Sequence, residues 1–241
     1  MMNFINVIKE KQRDWHGYRQ PVIAFLGDSV THGCFDLYIE ECKIKTYVNM
    51  DNAYHEKVRS ILNTFFPTVP ITIVNAGISG DTASQGLKRI ERDVLSYSPD
   101  LVVVCYGLND SGAEENGIDT YVAALKSIFD SVRKNGKEVI FLTPNRITDR
   151  LNVKSMHEEI NVLTETILEK KQNDWLAKYI EAARNLCETE CIPVCDCNRL
   201  WDILSDNDVD INSLLSNRIN HPTEKMHWMF AYELVRTMFE K

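Results

Sequence analysis

Ser29 is the serine whose position best suits a nucleophile. It follows Gly27 and Asp28, directly after the apolar run from Val22 to Leu26. A continuous apolar run that ends at turn residues predicts a buried parallel strand. In open α/β sheets, ligands bind just beyond the carboxyl ends of such strands. Ser29 therefore lies where a nucleophile is expected, although Gly, Asp and Ser are also ordinary turn formers.

Three further segments carry polar or flexible residues at corresponding positions. The apolar run 71–74 leads into residues 75–82, which include Gly80, and the apolar run 101–105 leads into a segment with Asn109. His221 and Pro222 precede the last predicted helix. Together with Ser29, these segments supply a backbone glycine, an asparagine and a histidine.

The four segments together resemble the SGNH hydrolase superfamily, also called GDSL-type esterases and lipases, and within it the thioesterase-like members. The matching blocks are Gly27 to Ser29, residues 75–82, Gly107 to Asp110, and His221-Pro222, in the family's order. The resemblance implies a flavodoxin-like α/β fold, in which a five-stranded parallel sheet forms the middle of three α/β/α layers. It also implies hydrolysis of carboxylic esters without a cofactor.

The resemblance assigns a role to each of these residues. Ser29 would be the nucleophile and His221 its base, since a serine hydroxyl needs an adjacent base and imidazole titrates near neutrality. The oxyanion hole would consist of the backbone N–H groups of Ser29 and Gly80 and the side-chain amide of Asn109. His227 is a second histidine near the expected base, but its place inside the last helix favours His221.

One position departs from the family pattern. The family usually has an aspartate three residues before the catalytic histidine, and Arg218 occupies that position here. A guanidinium cannot accept a hydrogen bond from the imidazole. Three explanations remain open: a Ser29–His221 dyad held by a backbone carbonyl, an inactive relic, or an acid from elsewhere, for which the candidates are Asp202, Asp206, Asp208 and Asp210.

The predicted function is a serine esterase that removes a short acyl group, such as acetyl, from a small acylated substrate through an acyl-Ser29 intermediate. An acetylated carbohydrate is one candidate substrate. The alternatives are a catalytically impaired binding protein with the same fold, and an acyl-thioesterase or lysophospholipase. A metal-dependent phosphoesterase is disfavoured, because no carboxylate–histidine cluster has ligand spacing. The cysteines at 187, 191, 195 and 197 also lack the paired spacing of structural zinc sites.

Alternating apolar runs and helical patterns predict the elements that position these residues. Strands are expected at 22–26, 71–75, 101–105, 138–143 and 192–196, and helices near 53–64, 82–96, 119–135, 157–187 and 223–240. This alternation predicts a parallel sheet covered on both faces, within a single domain over residues 1–241. Residues 33–52 and 144–175 exceed the minimal fold, and they are expected to form either pocket walls or surface elaborations, including contacts in a homo-oligomer.

Composition restricts the partners and the compartment. A net charge of −8 and an isoelectric point near 5.3 argue against nucleic acid as the main partner. The first residues lack the features of a signal peptide, and no apolar run reaches membrane-spanning length. Seven mostly scattered cysteines suit reduced thiols. These observations predict a cytoplasmic enzyme.

Overall fold

The computed structural model describes residues 2–151, 158–170 and 172–240. Its central sheet has five parallel strands in the order β4-β1-β5-β6-β7. The strands are β1 (Val22–Gly27), β4 (Thr72–Gly77), β5 (Leu101–Cys105), β6 (Glu138–Leu142) and β7 (Val194–Cys195). The five strands expected from the apolar runs are all present, so the predicted five-stranded parallel sheet is confirmed.

Helices cover both faces of the sheet, which confirms the three-layer α/β/α architecture. One face packs against α1 (Asn3–Arg13), α3 (Tyr54–Phe65), α8 (Cys197–Asp206) and α9 (Glu224–Phe239). The other face packs against α4 (Ala83–Asp93), α5 (Ile118–Lys134) and α7 (Gln172–Thr189). In the part of the chain that the structure describes, no helix has the length and apolar character needed to cross a membrane.

The side chains of β1 show why its sequence is apolar without interruption. Ile23 and Phe25 belong to one core, whereas Ala24 and Leu26 belong to the core on the opposite face. All four side chains are fully buried. A strand buried on both faces has no position for a polar side chain until it ends, so the chain can present its first polar groups only in the loop after Gly27.

Several elements differ from the expected ones. Residues 33–52 form a hairpin, with β2 (Cys34–Glu40) paired antiparallel to β3 (Lys43–Val48). The single helix expected over 157–187 is instead two helices, α6 (Glu158–Glu169) and α7, and residue 157 lies outside the described residues. Helices α1 and α8 were not expected from the sequence. Part of the predicted extra segment 144–175 also lies outside the described residues.

The strand order places a crevice beside the end of β1. The chain runs from β1 to β4 on one side and then returns to β5 on the other, so β1 lies between two strands that extend the sheet in opposite directions. Crevices at such switch points are where open α/β sheets bind ligands. Residues that follow β1 and β5 therefore line the crevice from its two sides.

A buried arginine on α4 joins the carboxyl ends of three neighbouring strands. Arg89 donates hydrogen bonds to the carbonyl of Gly27 at the end of β1 (3.2 Å), the carbonyl of Ala76 in β4 (2.7 Å) and the hydroxyl of Tyr106 after β5 (3.0 Å). Its charge is balanced by Asp81, whose carboxylate lies 2.7 Å from the Arg89 Nε. The network fixes the strand ends relative to one another below the crevice.

We predict that Arg89→Met lowers the free energy of unfolding by about 3–5 kcal/mol, because the Asp81 carboxylate stays buried without its cation. Arg92→Met on the same helix is the matched control. The Arg92 side chain is 76% exposed, and its ion-pair partner among the described residues is Asp93. Its loss should cost about 1 kcal/mol or less. Urea unfolding followed by circular dichroism measures both. Equal costs for the two variants would show that the network does not hold the strand ends.

Candidate active site

Ser29 begins α2 (Ser29–His32), a single helical turn directly after β1. Gly27 has no room for a side chain, because a Cβ there would lie 2.2 Å from the Thr31 Oγ1 and 2.8 Å from the Cys105 carbonyl oxygen. This close approach sets the sharp exit from the strand. As the first residue of a helix, Ser29 has a backbone N–H without an intrahelical acceptor. The turn thus leaves both the hydroxyl and the N–H of Ser29 for other partners.

His221 lies beside Ser29 although 192 residues separate them in sequence. The His221 Nε2 is 3.0 Å from the Ser29 Oγ, and only 3% of His221 and 5% of Ser29 are exposed. Two hydrogen bonds from the loop after β6 hold the histidine segment: the Thr148 N–H donates to the Ile219 carbonyl (2.7 Å) and the Asn145 amide donates to the Asn220 carbonyl (2.9 Å). The segment after β6, which exceeds the minimal fold, therefore supports the His221 loop.

Burial lowers the pKa of His221 to about 4, because the surrounding protein disfavours a charged ring. The backbone carbonyl of Phe35 in β2 acts in the opposite direction and raises this pKa. At neutral pH the ring is therefore uncharged, which is the form that can accept a proton. The β2–β3 hairpin therefore contributes a backbone carbonyl to the site.

Gly80 and Asn109 lie in the loops after β4 and β5, on the two sides of the Ser29 loop. Gly80 has φ +82°, a backbone conformation that favours glycine. The Asn109 amide donates to the Asp81 carbonyl at 2.8 Å, which orients its Nδ2 group. The structure thus places all four predicted residues at one edge of the sheet, with a direct contact between Ser29 and His221.

Asp110 connects the two loops that carry Gly80 and Asn109. Its carboxylate accepts hydrogen bonds from the N–H of Ala83 at the start of α4 (3.0 Å) and from the N–H of Gly107 (3.1 Å). Burial raises the pKa of Asp110 to about 6. Asp110 ends the third matching block, Gly107 to Asp110, and no role was predicted for it. Its position between two backbone N–H groups suits a residue that fixes the spacing of the two loops.

Asp28, immediately before the nucleophile, is fully buried. One carboxylate oxygen accepts a hydrogen bond from the Val30 N–H at 3.0 Å, and the other has no hydrogen-bond partner among the described residues. Burial raises the pKa of Asp28 to about 7. Below that pH the carboxyl is largely neutral, so the site beside Ser29 avoids a fixed negative charge that would oppose a developing oxyanion.

The side chain next to His221 is Asn217, which the sequence analysis did not assign to the site. The Asn217 Nδ2 lies 3.2 Å from the His221 Nδ1. Arg218 has φ +59°, and its exposed side chain donates to the Asn212 carbonyl. Because the chain turns at Arg218, the residue four positions before the histidine faces the ring rather than the residue three positions before it. The signal available in the sequence was an asparagine, a common turn former, at that spacing.

The candidate acid Asp202 is not next to His221, which corrects that hypothesis. Asp202 lies on α8, where its carboxylate is 3.5 Å from the Arg146 Nη1. Among the described residues, the groups that interact with the His221 ring nitrogens are the Ser29 hydroxyl, the Asn217 amide and the backbone carbonyl of Phe35, and none of them is a carboxylate. Asp210 pairs with Arg150 at 2.6 Å. The acidic segment 202–210 therefore supplies no carboxylate hydrogen bond to the imidazole.

His227 occupies a packed aromatic cluster rather than the crevice. It is fully buried, its ring centroid lies 4.8 Å from that of Phe35, and its Nδ1 accepts the Tyr54 N–H at 2.9 Å. Burial lowers the pKa of His227 to about 3. Its contacts are those of a core residue. Among the described residues, no group of three or more His, Cys, Asp or Glu side chains is arranged to hold a metal ion.

A cavity of about 310 Å³ borders Asn109, between the start of α4, the 3₁₀ segment Asp110–Gly117 and the start of α5. Most of its lining side chains end in hydroxyl or amide groups. Thr82, Ser84, Asn116 and Thr120 contribute these groups. Such a surface can hydrogen-bond a neutral polar ligand next to the crevice.

The chain is similar in sequence to known ester hydrolases. A profile of the GDSL-like lipase/acylhydrolase family matches residues 25–229. An acetylxylan esterase from Geobacillus stearothermophilus is 29% identical over 131 residues. This match spans 51% of the chain but only 58% of the length of that relative.

Solved structures show the same fold at lower sequence identity. A catalytic mutant of an acetylxylan esterase from Geobacillus stearothermophilus has a TM-score of 0.69 at 20% identity, over 92% of this chain and 95% of that chain. The lipase/acylhydrolase from Enterococcus faecalis gives 0.67 at 20%, over 90% and 94%. A gut microbial diltiazem-metabolizing enzyme gives 0.65 at 22%, over 91% of this chain and 47% of that chain. At these identities the similarity shows the fold alone.

The buried histidines make stability depend on pH. The folded-state pKa of His227, about 3, lies below the ordinary value of 6.5, so the unfolded chain binds more protons between these values. Its contribution is fully present above pH 6.5 and is lost as pH falls. The raised pKa values of Asp28 and Asp110 act in the opposite sense over part of this range, so the His227 effect has to be isolated with a variant.

We predict that His227→Gln is less stable than the wild type at pH 7, but that the difference shrinks by about 1.4 kcal/mol for each pH unit between about pH 6 and pH 4. The control variant His16→Gln replaces an exposed histidine, and its free energy of unfolding should stay within about 0.5 kcal/mol of the wild-type value. Urea unfolding across the pH series measures both. A constant difference for His227→Gln would contradict the buried, neutral state of this ring.

Proposed function

Because the chain belongs to the GDSL-like lipase/acylhydrolase family, we propose that it is a serine esterase that cleaves short acyl esters through an acyl-Ser29 intermediate. The observation that carries this proposal is the 3.0 Å contact between the Ser29 Oγ and the Nε2 of a neutral, buried His221. A hydroxyl beside a neutral imidazole at a sheet switch point is suited to nucleophilic attack.

In the proposed reaction, the Ser29 oxygen attacks the ester carbonyl carbon while its proton passes to the Nε2 of His221, in the ring tautomer whose Nε2 is unprotonated. The carbonyl oxygen becomes negatively charged and accepts hydrogen bonds from the N–H groups of Ser29 and Gly80 and from the Asn109 amide. The C–O bond to the alcohol then breaks, and the alcohol leaves with the proton from His221. Water attacks the acyl-Ser29 ester in the same manner and releases the acid.

The polar cavity beside Asn109 supports an acylated carbohydrate as the substrate class. Its hydroxyl and amide groups match the hydroxyl groups of a sugar. The acetylxylan esterase of Geobacillus stearothermophilus, by its name, acts on an acetylated polysaccharide. We therefore propose an acetyl group as the acyl part and a sugar as the alcohol part.

A catalytically impaired binding protein with the same fold is the second candidate. The observation that favours it is the lack of a carboxylate hydrogen bond to the His221 ring among the described residues, where Asn217 provides an amide instead. In a serine protease, replacing the triad aspartate by asparagine lowers kcat by about 10⁴. Turnover of an activated acetyl ester above the rate of the Ser29→Ala variant distinguishes a slow enzyme from a binding protein.

We predict that Ser29→Ala lowers kcat for p-nitrophenyl acetate by on the order of 10³ or more, because the covalent route is lost. Asn109→Ala should lower kcat by about 10²–10³ with little change in KM, since the oxyanion exists only in the transition state. The control is Ser79→Ala, which replaces an exposed serine next to Gly80 and should retain activity. A folded Ser29→Ala protein with wild-type turnover would exclude the proposed nucleophile.

A second prediction concerns the polar cavity. Asn116→Ala and Thr120→Ala should each raise KM for an acetylated xylo-oligosaccharide roughly two- to tenfold, the effect of one lost neutral hydrogen bond. KM for p-nitrophenyl acetate should not change, because this ester has no sugar. The matched control is Ser127→Ala on α5, the helix that contains Thr120. The Ser127 hydroxyl donates to the Ala123 carbonyl. Equal KM changes on both esters, or faster turnover of an acyl thioester or a lysophospholipid, would contradict the carbohydrate assignment.

A further inference from the structure

The amide of Asn217 has its orientation fixed by the loop that contains it. Its Oδ1 accepts hydrogen bonds from three successive backbone N–H groups, those of Ile219, Asn220 and His221, each at 3.0 Å. Rotating the amide by half a turn would direct its NH₂ group at these three donors. The oxygen therefore faces the backbone, and the NH₂ group must face away from it.

The NH₂ group of Asn217 consequently points at the imidazole. It lies 3.2 Å from the His221 Nδ1, and it also donates to the Asn220 Oδ1 at 2.9 Å. A group that only donates requires an acceptor opposite, so the Nδ1 carries a lone pair and the ring proton is on the Nε2. The Nε2–H group then donates to the Ser29 Oγ across the 3.0 Å contact.

We propose that Asn217 is a positioning residue that holds His221 in the tautomer with its proton on Nε2, and that this contact attenuates the esterase. The inference rests on the proposed function for its catalytic consequence, whereas the tautomer itself follows from the hydrogen bonds of the loop. In this arrangement the residue at position 217 decides which ring nitrogen is free to act as the base.

The consequence for the reaction is a barrier before proton transfer. The Nε2 can accept the Ser29 proton only after its own proton has moved to Nδ1, and Nδ1–H then lies opposite the NH₂ group of Asn217, which is itself a donor. An aspartate at the same position would keep the three backbone hydrogen bonds through one oxygen and accept from Nδ1–H with the other. The loop therefore already has the geometry of a Ser–His–acid triad, with an amide where the acid would be.

The other groups that face the His221 ring are few. Phe35 in β2 contributes its backbone carbonyl, and Ser29 in α2 its hydroxyl. From α9, His227 is the titratable group whose pKa is linked by charge to that of His221. Because His227 is itself neutral at working pH, it places no charge beside the base.

The tautomer can be measured without any substrate. NMR of the ring nitrogens in nitrogen-labelled protein, with His221 assigned from the spectrum of His221→Gln, should show the proton on Nε2 in the wild type. In Asn217→Asp the same spectra should show Nδ1–H or a ring protonated at both nitrogens. A wild-type ring with its proton on Nδ1 would overturn the proposal, whether or not the protein hydrolyses esters.

The kinetic test compares Asn217→Asp with Asn220→Asp on an activated acetyl ester. Asn217→Asp should raise kcat at least tenfold, and up to on the order of 10⁴, with little change in KM. The acid limb of the pH profile of kcat/KM should move to higher pH by about 1–3 units. A carboxylate beside the His221 ring favours its charged form and so raises its pKa. Asn220→Asp adds the same charge one residue before His221 without an acceptor for Nδ1–H, and it should not raise kcat.

Two outcomes of the kinetic test would overturn the proposal. The first is that the wild type hydrolyses the ester and Asn217→Asp has the same kcat and the same acid limb in its pH profile. The other is an equal rise in Asn220→Asp, which would assign the effect to charge alone. Peptide mass spectrometry of the wild type checks that Asn217 has not deamidated to aspartate, since that would supply the acid chemically. If neither the wild type nor Asn217→Asp hydrolyses any ester, the proposed function fails while the tautomer measurement still stands.

Discussion

The geometry of the site depends on the buried guanidinium of Arg89, which ties together the carboxyl ends of β1, β4 and β5. The loops that carry Ser29, Gly80 and Asn109 leave these three strands, so their spacing follows from that of the strand ends. Asp81 balances the arginine charge and also provides the carbonyl that orients the Asn109 amide. One network thus links the stability of the sheet edge to the proposed oxyanion hole.

The fourth residue, His221, reaches Ser29 from outside this network and has its own support. Its loop is closed internally by Asn217 and anchored from outside by the loop after β6. Burial then determines the electrostatics, because it keeps the His221 ring neutral and raises the pKa of the adjacent Asp28 carboxyl to about 7. The crevice therefore holds few fixed charges near Ser29, and donors rather than cations are left to stabilise an oxyanion.

The sequence was sufficient to predict the sheet, because strands such as β1 and β5 are buried on both faces and must be continuously apolar. It was not sufficient for the β2–β3 hairpin, whose half-exposed residues resemble a loop. Ser29, Gly80 and Asn109 were predicted from their positions after strands, and His221 from its position before the last helix; the structure groups them at one edge. Asn217 was missed because its role comes from a turn at Arg218 with φ +59°, and counting back from His221 cannot show which side chain that turn directs to the ring.

If Ser29 forms a covalent acyl-enzyme, mass spectrometry of the intact protein can detect the acyl group during turnover. The protein would be mixed with an activated acetyl ester, quenched with acid at early times and digested to locate the modification. We expect a mass increase of one acetyl group on Ser29, which disappears with time in the wild type and is absent in Ser29→Ala. Acetylation of another residue during turnover, or turnover without any modification of Ser29, would contradict the account.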